Sequence, residues 1–372
     1  MGSVMTPTLK QSPACVLAYP RRAEASEHEV ASQSRMASLL ASLLGCAVRE
    51  SAEPALTDST YYVPDHTLVA NIDDVEITDE SRLFGGIVPH GFVATKAVTH
   101  GLWQASSQAP EGWNAVLGGD LGDAVLTGYT VFTRDDALSA GRALMQRGPV
   151  RLKPIYANAG RGQCVVEDAT ALQRAIETSD AEGGLVLEEN LTDVRTFSVG
   201  WCRVGPHHIA YTGTQCLTPD NQGELVYGGS SLRCVRGDVH TLAGMATDAD
   251  MRRAAQLAVQ YDAAVNRAYP ALIASRRNYD VVIGRDYDGQ TRLGVLEQSW
   301  RAGGASIAEL SAMLYFAQNA SASEVDAYTC EVYGRHPRPF EESHLVYSGE
   351  DSRAGWITKT GGIGKGGSDG AQ

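Results

Sequence analysis

The chain has 372 residues, room for two or three domains at roughly 150 residues each, and is 43% hydrophobic and 20% charged, which excludes disordered and fibrous classes and points to a packed, enzyme-sized fold. Its 31 Lys and Arg against 44 Asp and Glu leave a formal charge of −13, so nucleic acid is not an expected partner. No apolar run approaches the roughly 18 residues of a membrane helix and the first thirty residues carry no export signal, so no membrane partner is expected and the cytoplasm is the expected address. The seven cysteines are scattered and never spaced Cys-x-x-Cys, so they read as reduced thiols, not as a disulfide frame or a zinc knuckle.

In chain order, residues 13–18 form a short apolar run, and residues 26–44 place Val30, Met36, Leu39, Leu40, Leu43 and Leu44 at near-helical spacing, which predicts a strand and then an amphipathic helix. Tyr61-Tyr62-Val63-Pro64 and Thr67-Leu68-Val69 read as further strand or turn, and Gly85-Gly86 with Pro89 leads to a helix beginning near Thr95. Thr133-x-x-Asp136 marks a helix start and Gly148-Pro149 its end. A strand over 150–153, a glycine loop over 159–163, a strand over 164–167, a helix over 169–178 and a strand over 184–189 follow. Strands over 197–204 and 209–214 come next, with His207-His208 in the turn between them. Residues 242–269 predict one or two helices, 279–300 a hairpin and 306–318 a helix. The glycine-rich tail from Thr360 is expected to be disordered. The class is mixed α/β, in α+β lobes.

The sharpest chemical signal lies in the hairpin. Asp288-Gly289 is the preferred two-residue turn, and pairing Tyr287 with Gln290 puts Asp280 directly opposite Glu297. Like charges facing each other disfavour a sheet, so the pair calls for a shared proton, a neighbouring Lys or Arg, or a divalent cation held by oxygen ligands. Magnesium suits such a site beside phosphate. Ser299 shares the face of Glu297 and can add a neutral oxygen, while Arg301 and Gly303-Gly304 offer a planar cation and bare backbone to a phosphate.

A second signal is Arg151-Leu152-Lys153-Pro154 followed by Asn158-Ala159-Gly160-Arg161-Gly162-Gln163. Gly160 and Gly162 let amide N–H groups approach anionic oxygens, and Lys153 adds a compact charge at a strand end. A hairpin loop whose glycines only satisfy turn geometry is the more common source of such a pattern. Leu187-Glu188-Glu189-Asn190-Leu191 is an apolar strand running into acids, and Lys96 opens a helix where either a phosphate or solvent can face it. Arg233, Arg236, Arg276 and Arg277 stand as candidates for an acidic substrate or for surface acids.

Read in order, Thr95-Lys96, the Lys153-Pro154 strand with its glycine loop, Leu187-Glu188-Glu189-Asn190-Leu191, Asn278-Tyr279-Asp280 and Leu296-Glu297-Gln298-Ser299-Trp300-Arg301-Ala302-Gly303-Gly304 resemble the ATP-grasp superfamily. Over nearly the whole chain the likeness is to an uncharacterised bacterial branch of it. The resemblance implies ATP held between two α+β lobes, with Lys96, Lys153 and the glycine loop on the phosphates. It further implies Glu188, Glu189 and Leu191 at the linker meeting adenine, Mg2+ on Asp280 and Glu297, and Arg301 on the transferred phosphoryl group. Two positions depart from the pattern: Ser299 stands where asparagine is usual, and Thr196 where a ribose-binding glutamate is usual. The implied division is an N-terminal α/β lobe over 1–92, a small lobe over 93–190, a C-terminal lobe over 191–359 and a disordered tail over 360–372. The implied activity is ligation of a small-molecule carboxylate to an amine through an acylphosphate, releasing ADP and phosphate. A small-molecule kinase and a non-catalytic nucleotide binder stand as alternatives, and a homodimer is the default assembly.

Overall fold

The computed structural model describes residues 13–20, 22–49, 59–73, 77–157, 162–181, 183–245, 248–335 and 340–364. The chain begins with β1 (Cys15–Leu17), α1 (Glu27–Leu44), β2 (Ala47–Arg49), β3 (Thr60–Tyr62), β4 (Leu68–Val69) and β5 (Gly86–Val88). Strands β2 and β3 flank β1 in parallel. Helix α1 starts where the Ser26 N–H donates to Glu29 Oε2 at 2.9 Å and stops at Gly45, whose φ of 67° lets the last turn close in the left-handed region.

The middle of the chain comprises α2 (Leu117–Leu121), β6 (Gly128–Val131), α3 (Arg134–Met145), β7 (Val150–Pro154), β8 (Cys164–Val166), α4 (Ala169–Thr178) and β9 (Leu185–Glu189). The strands form an antiparallel sheet in the order β6-β9-β7-β8. Thr133 caps α3 by accepting from the Asp136 N–H, and Asp168 caps α4 by accepting from the Thr170 and Ala171 N–H groups. Both helices lay Ala137, Ala140, Leu172 and Ile176 onto Leu152, Leu185 and Leu187.

The rest of the chain is β10 (Thr192–Val204), β11 (His207–Pro219), β12 (Leu225–Arg236), α5 (Leu242–Met245), α6 (Ala249–Ala268), β13 (Ile273–Ala274), β14 (Arg276–Arg285), β15 (Thr291–Ser299), α7 (Ser306–Gln318), β16 (Glu324–Tyr333), β17 (Leu345–Asp351) and β18 (Gly355–Ile363). Eight of these strands form one antiparallel sheet in the order β15-β14-β10-β11-β12-β16-β18-β17. Because side chains alternate across a strand, Val199, Ala210, Tyr279 and Val281 face α6, together with Val93, Val98 and Leu117. Cys202, Tyr211 and Leu232 face the other way, against α7 and Met36 and Leu40 of α1. Strand β13 pairs with β5, Ala274 opposite Gly86, which ties the first ninety residues to the large sheet. A Cβ at Gly86 would lie 2.7 Å from the Trp300 Cβ, so only glycine fits this crossing.

Two expectations are corrected here. His207 and His208 open β11, and the turn before them is Gly205-Pro206, with Gly205 at a φ of 55°. Residues 360–363 are not a disordered tail: they complete β18, with Cys330 opposite Thr360 and Ala327 opposite Ile363. Gly361 sits where a Cβ would come within 2.8 Å of Ile307 Cγ2, so this glycine serves the close packing of α7 on the sheet. Residues 365–372 lie outside the described residues.

Candidate active site

Asp280 does stand opposite Glu297, but the route differs from the expected one. Arg285 pairs with Thr291, so the turn is residues 286–290, closed by hydrogen bonds from Asp286 N–H to Gln290 O and from Gly289 N–H to Asp286 O, each 3.0 Å. Near the turn every pair is displaced by one residue from the two-residue-turn register, Val281 meeting Val295. A bulge at Leu296 then restores the displacement, so that Asp280 meets Glu297 and Asn278 meets Ser299.

On this face Arg276, Asn278 and Asp280 from β14, Glu297 and Ser299 from β15, and Arg301 all line one cavity of about 650 Å³. The cavity is lined by residues of α1, of the large sheet and of the chain entering α7. Asp280 Oδ1 accepts from Gln215 Nε2 at 2.8 Å and Asn278 Nδ2 at 3.3 Å. Burial first and Glu297 second push its carboxyl up to about 7, against the pull of Asn278. Glu297 in turn is held by Lys96, whose Nζ lies 2.7 Å from Glu297 Oε2 and also donates to the Ala157 carbonyl at the end of the Lys153 strand segment. Lys96 is thus one answer to the charge conflict, and it ties the carboxylate pair to the chain leading into the glycine loop.

These donors fit Mg2+. Among the described residues no group of three or more His, Cys, Asp or Glu side chains gathers as a metal cage. A hard cation can be bound through one or two carboxylates with substrate phosphates and water making up the rest. Asp280, Glu297 and the Ser299 hydroxyl are the oxygen set that would hold it.

The other expected residues fall into separate groups. Lys153 is buried and pairs with Glu188 Oε1, while Glu188 Oε2 lies 3.3 Å from His100 Nε2. Burial raises the Glu188 carboxyl, but Lys153 and His100 outweigh it and hold the group below its ordinary range. Lys153 and Glu188 do not line the cavity. Glu189 Oε1 accepts from Thr127 N–H at 2.8 Å and Arg292 Nη2 at 3.1 Å, and Leu191 packs with Leu126 and Val282. Gly162 takes a φ of 68° beside Pro154; Gly160 lies outside the described residues. Thr196 lines the cavity.

The four arginines considered for an acidic substrate are taken up internally. Arg276 makes a bidentate, fully buried pair with Glu309, both bonds 2.7 Å, and its Nη1 holds the carbonyls of Ser299 and Arg301 at 3.2 and 2.6 Å. Arg277 pairs with Asp262, Arg233 with Glu324, and Arg236 donates to carbonyls of 316, 319 and 322. Sequence reading missed Glu309 and His100, because nothing in the local pattern marks an acid on α7 or a histidine in a loop as the partner of a distant cation. Glu309 positions the site: through Arg276 it fixes the backbone carrying Ser299 and Arg301, and through Tyr211, 2.6 Å from Glu309 Oε1 and 2.9 Å from Asn278 Oδ1, it steadies the neighbour of Asp280.

No helix of the described residues is long and apolar enough to cross a membrane. In fold the chain is similar to the biotin carboxylase–β,γ-ATP complex from Campylobacter jejuni, with a TM-score of 0.50 and 12% identity over 95% of this chain and 87% of that one. It is also similar to a carboxyaminoimidazole ribonucleotide synthase from Aspergillus clavatus complexed with ATP (TM-score 0.47, 13% identity, 94% of each chain). A third similar structure is N5-carboxyaminoimidazole synthetase from Staphylococcus aureus (TM-score 0.46, 11% identity, 96% and 95%). At such identities the likeness speaks to the fold, which is that of the ATP-grasp enzymes. No curated protein sequence matches the chain. The model of one family, described as protein of unknown function (DUF3182), matches residues 16–361, which takes in every residue lining the cavity, and the chain belongs to that family.

Proposed function

We propose that the protein is an ATP-dependent ligase that joins a carboxylate to an amine. The observation that carries the reading is the Asp280–Glu297 pair on the cavity wall, a like-charge contact that a fold keeps only at a cost and that a divalent cation on a nucleotide would relieve. In this reading Asp280, Glu297 and Ser299 hold Mg2+, which supplies charge neutralisation along the phosphates. Lys96 and Lys153 take phosphate oxygens in exchange for their present carboxylate partners, and Gly160 and Gly162 are the further phosphate-binding positions. Glu188, Glu189 and Leu191 meet adenine.

The chemistry asked of the protein is alignment and electrostatics. An oxygen of the substrate carboxylate attacks the γ-phosphorus, the bond from that phosphorus to the β-bridging oxygen breaks, and ADP leaves. The amine nitrogen then attacks the acyl carbon, the carbon–oxygen bond to phosphate breaks, phosphate leaves and the nitrogen gives up a proton. Arg301, which lines the cavity, binds the phosphoryl oxygens as charge moves onto them. Small-molecule carboxylate and amine are the partners, in a protein acting as a monomer or homodimer in the cytoplasm.

The test is ADP release with pooled carboxylates and amines, followed by mass spectrometry of the product. A condensed product formed only with both pools present supports ligation. A phosphorylated product formed without amine makes the protein a kinase, and nucleotide binding without ADP release under any pool makes it a binding module.

A further inference from the structure

The cavity is longer than the carboxylate pair needs, and its walls are not uniform. Along β11, Gln215 touches Asp280, and the next residues on the same face are Leu217 and Pro219. Opposite them on β12, across a bulge after Cys216, stand Tyr227 and Leu225. Leu217 and Leu225 line the cavity and are 62% and 64% exposed, whereas Leu232 farther along β12 is buried. Tyr227 is fixed, its hydroxyl 2.7 Å from Ser230 Oγ and 3.0 Å from Thr329 Oγ1, and turns its ring toward Gly304. An apolar strip of Leu217, Tyr227 and Leu225 therefore starts about 7 Å from Gln215, two residues along the strand, and runs into exposed leucines.

The charges of the same cavity are nearly all spent. Arg22 pairs with Glu29 at 3.1 Å and Asp65 at 3.3 Å, Lys359 with Glu331 at 2.9 Å, and Arg276 with Glu309. Among the described residues Arg301 has no carboxylate within ion-pair distance; its hydrogen bond is to the carbonyl of Ala302, at 3.1 Å. One cation is thus open to a ligand, in surroundings where the other cations already have acidic partners.

Resting on the ligase reading, we propose that the substrate is a monocarboxylate with an apolar substituent, its carboxylate at Arg301 beside the phosphoryl group and its hydrocarbon or aromatic part along Leu217, Tyr227 and Leu225. A second carboxylate on the substrate would meet Glu29, Asp65 or Glu331 without a free cation to receive it. A sugar or polyol would leave the leucine strip uncovered.

The experiment uses the full chain with Mg2+ and a non-hydrolysable ATP analogue, and measures binding of hexanoate, 3-phenylpropanoate, acetate and succinate by calorimetry, alongside binding of the analogue itself. Expected are hexanoate and phenylpropanoate binding at least about tenfold more tightly than acetate or succinate, by the transfer free energy of the added carbons. Leu217→Asp and Leu225→Asp, both on exposed sites, should remove that preference while the analogue still binds, and Arg301→Met should weaken all four acids. Equal or tighter binding of succinate, or an unchanged preference in both leucine variants, overturns the proposal, as does failure of every acid to bind when the analogue binds. Loss of Mg2+-dependent analogue binding in the wild-type chain instead defeats the ligase reading on which it stands.

Discussion

Replacing Asp280 by Asn should make the metal-free protein more stable, and more so the higher the pH. The folded chain holds the Asp280 carboxyl up to about 7, through burial and the facing Glu297, against an ordinary value of 3.8. Between those values the folded state keeps a proton that the unfolded chain releases. Stability therefore falls as pH rises from about 4 to about 7, and the full cost is present above 7. Three units at about 1.4 kcal/mol each set a ceiling near 4 kcal/mol. Cavity water and the Lys96 ammonium on Glu297 screen the pair, which leaves about 1–2 kcal/mol. Asn keeps an oxygen for Gln215 and removes the charge. Thermal unfolding of wild type and Asp280→Asn at pH 5, 6, 7 and 8, without divalent metal, should show the variant gaining about 1–3 °C at pH 8 and roughly a third of that gain at pH 5. A gain that is the same at all four pH values, or a variant less stable at pH 8, would refute the charge-conflict reasoning.

Glu309→Ala strands the buried Arg276 guanidinium and should cost about 3–5 kcal/mol in urea unfolding; a loss below 1 kcal/mol would mean Arg276 finds other compensation. Gly86→Ala pushes a methyl into Trp300 and should cost about 1–3 kcal/mol, measured the same way, with Gly45→Ala losing stability through its backbone conformation alone. His66 sits between Asp65 and Asp73, at 2.7 and 3.1 Å, and Asp65 above all raises its pKa above 6.5. Its contribution is therefore present below pH 6.5 and is lost as pH climbs through the raised value, so His66→Gln should destabilise at pH 6 and be near neutral at pH 8.5.

What sequence alone revealed was governed by how local the cause is. Helices α3 and α4 follow from caps and periodicity within a dozen residues and α7 from its apolar content, and their observed bounds fall on or within three residues of the expected ones. The Asp280–Glu297 opposition was legible for a less secure reason: a one-residue misreading of the turn at 286–290 was cancelled by a bulge at Leu296, and neither bulge nor five-residue turn has a strong local signature. For the arginines at 276 and 277 sequence leaves an acidic substrate and surface acids both open, because their partners, Glu309 on α7 and Asp262 on α6, are set by tertiary packing. Gly361 looked like part of a disordered tail because composition cannot distinguish a glycine required by a close helix–sheet contact from one in a flexible segment. Arg301, by contrast, lines the cavity without a carboxylate partner among the described residues, and only the structure reveals that the other cations there are already matched.

The most direct measurement of the central claim is calorimetric titration of a non-hydrolysable ATP analogue into wild type, Asp280→Asn and Glu297→Gln, each with and without Mg2+. The account predicts binding in the wild type that Mg2+ strengthens, and loss of that Mg2+ dependence in both variants while their thermal unfolding shows an intact fold. Mg2+-dependent affinity surviving undiminished in both variants would contradict it.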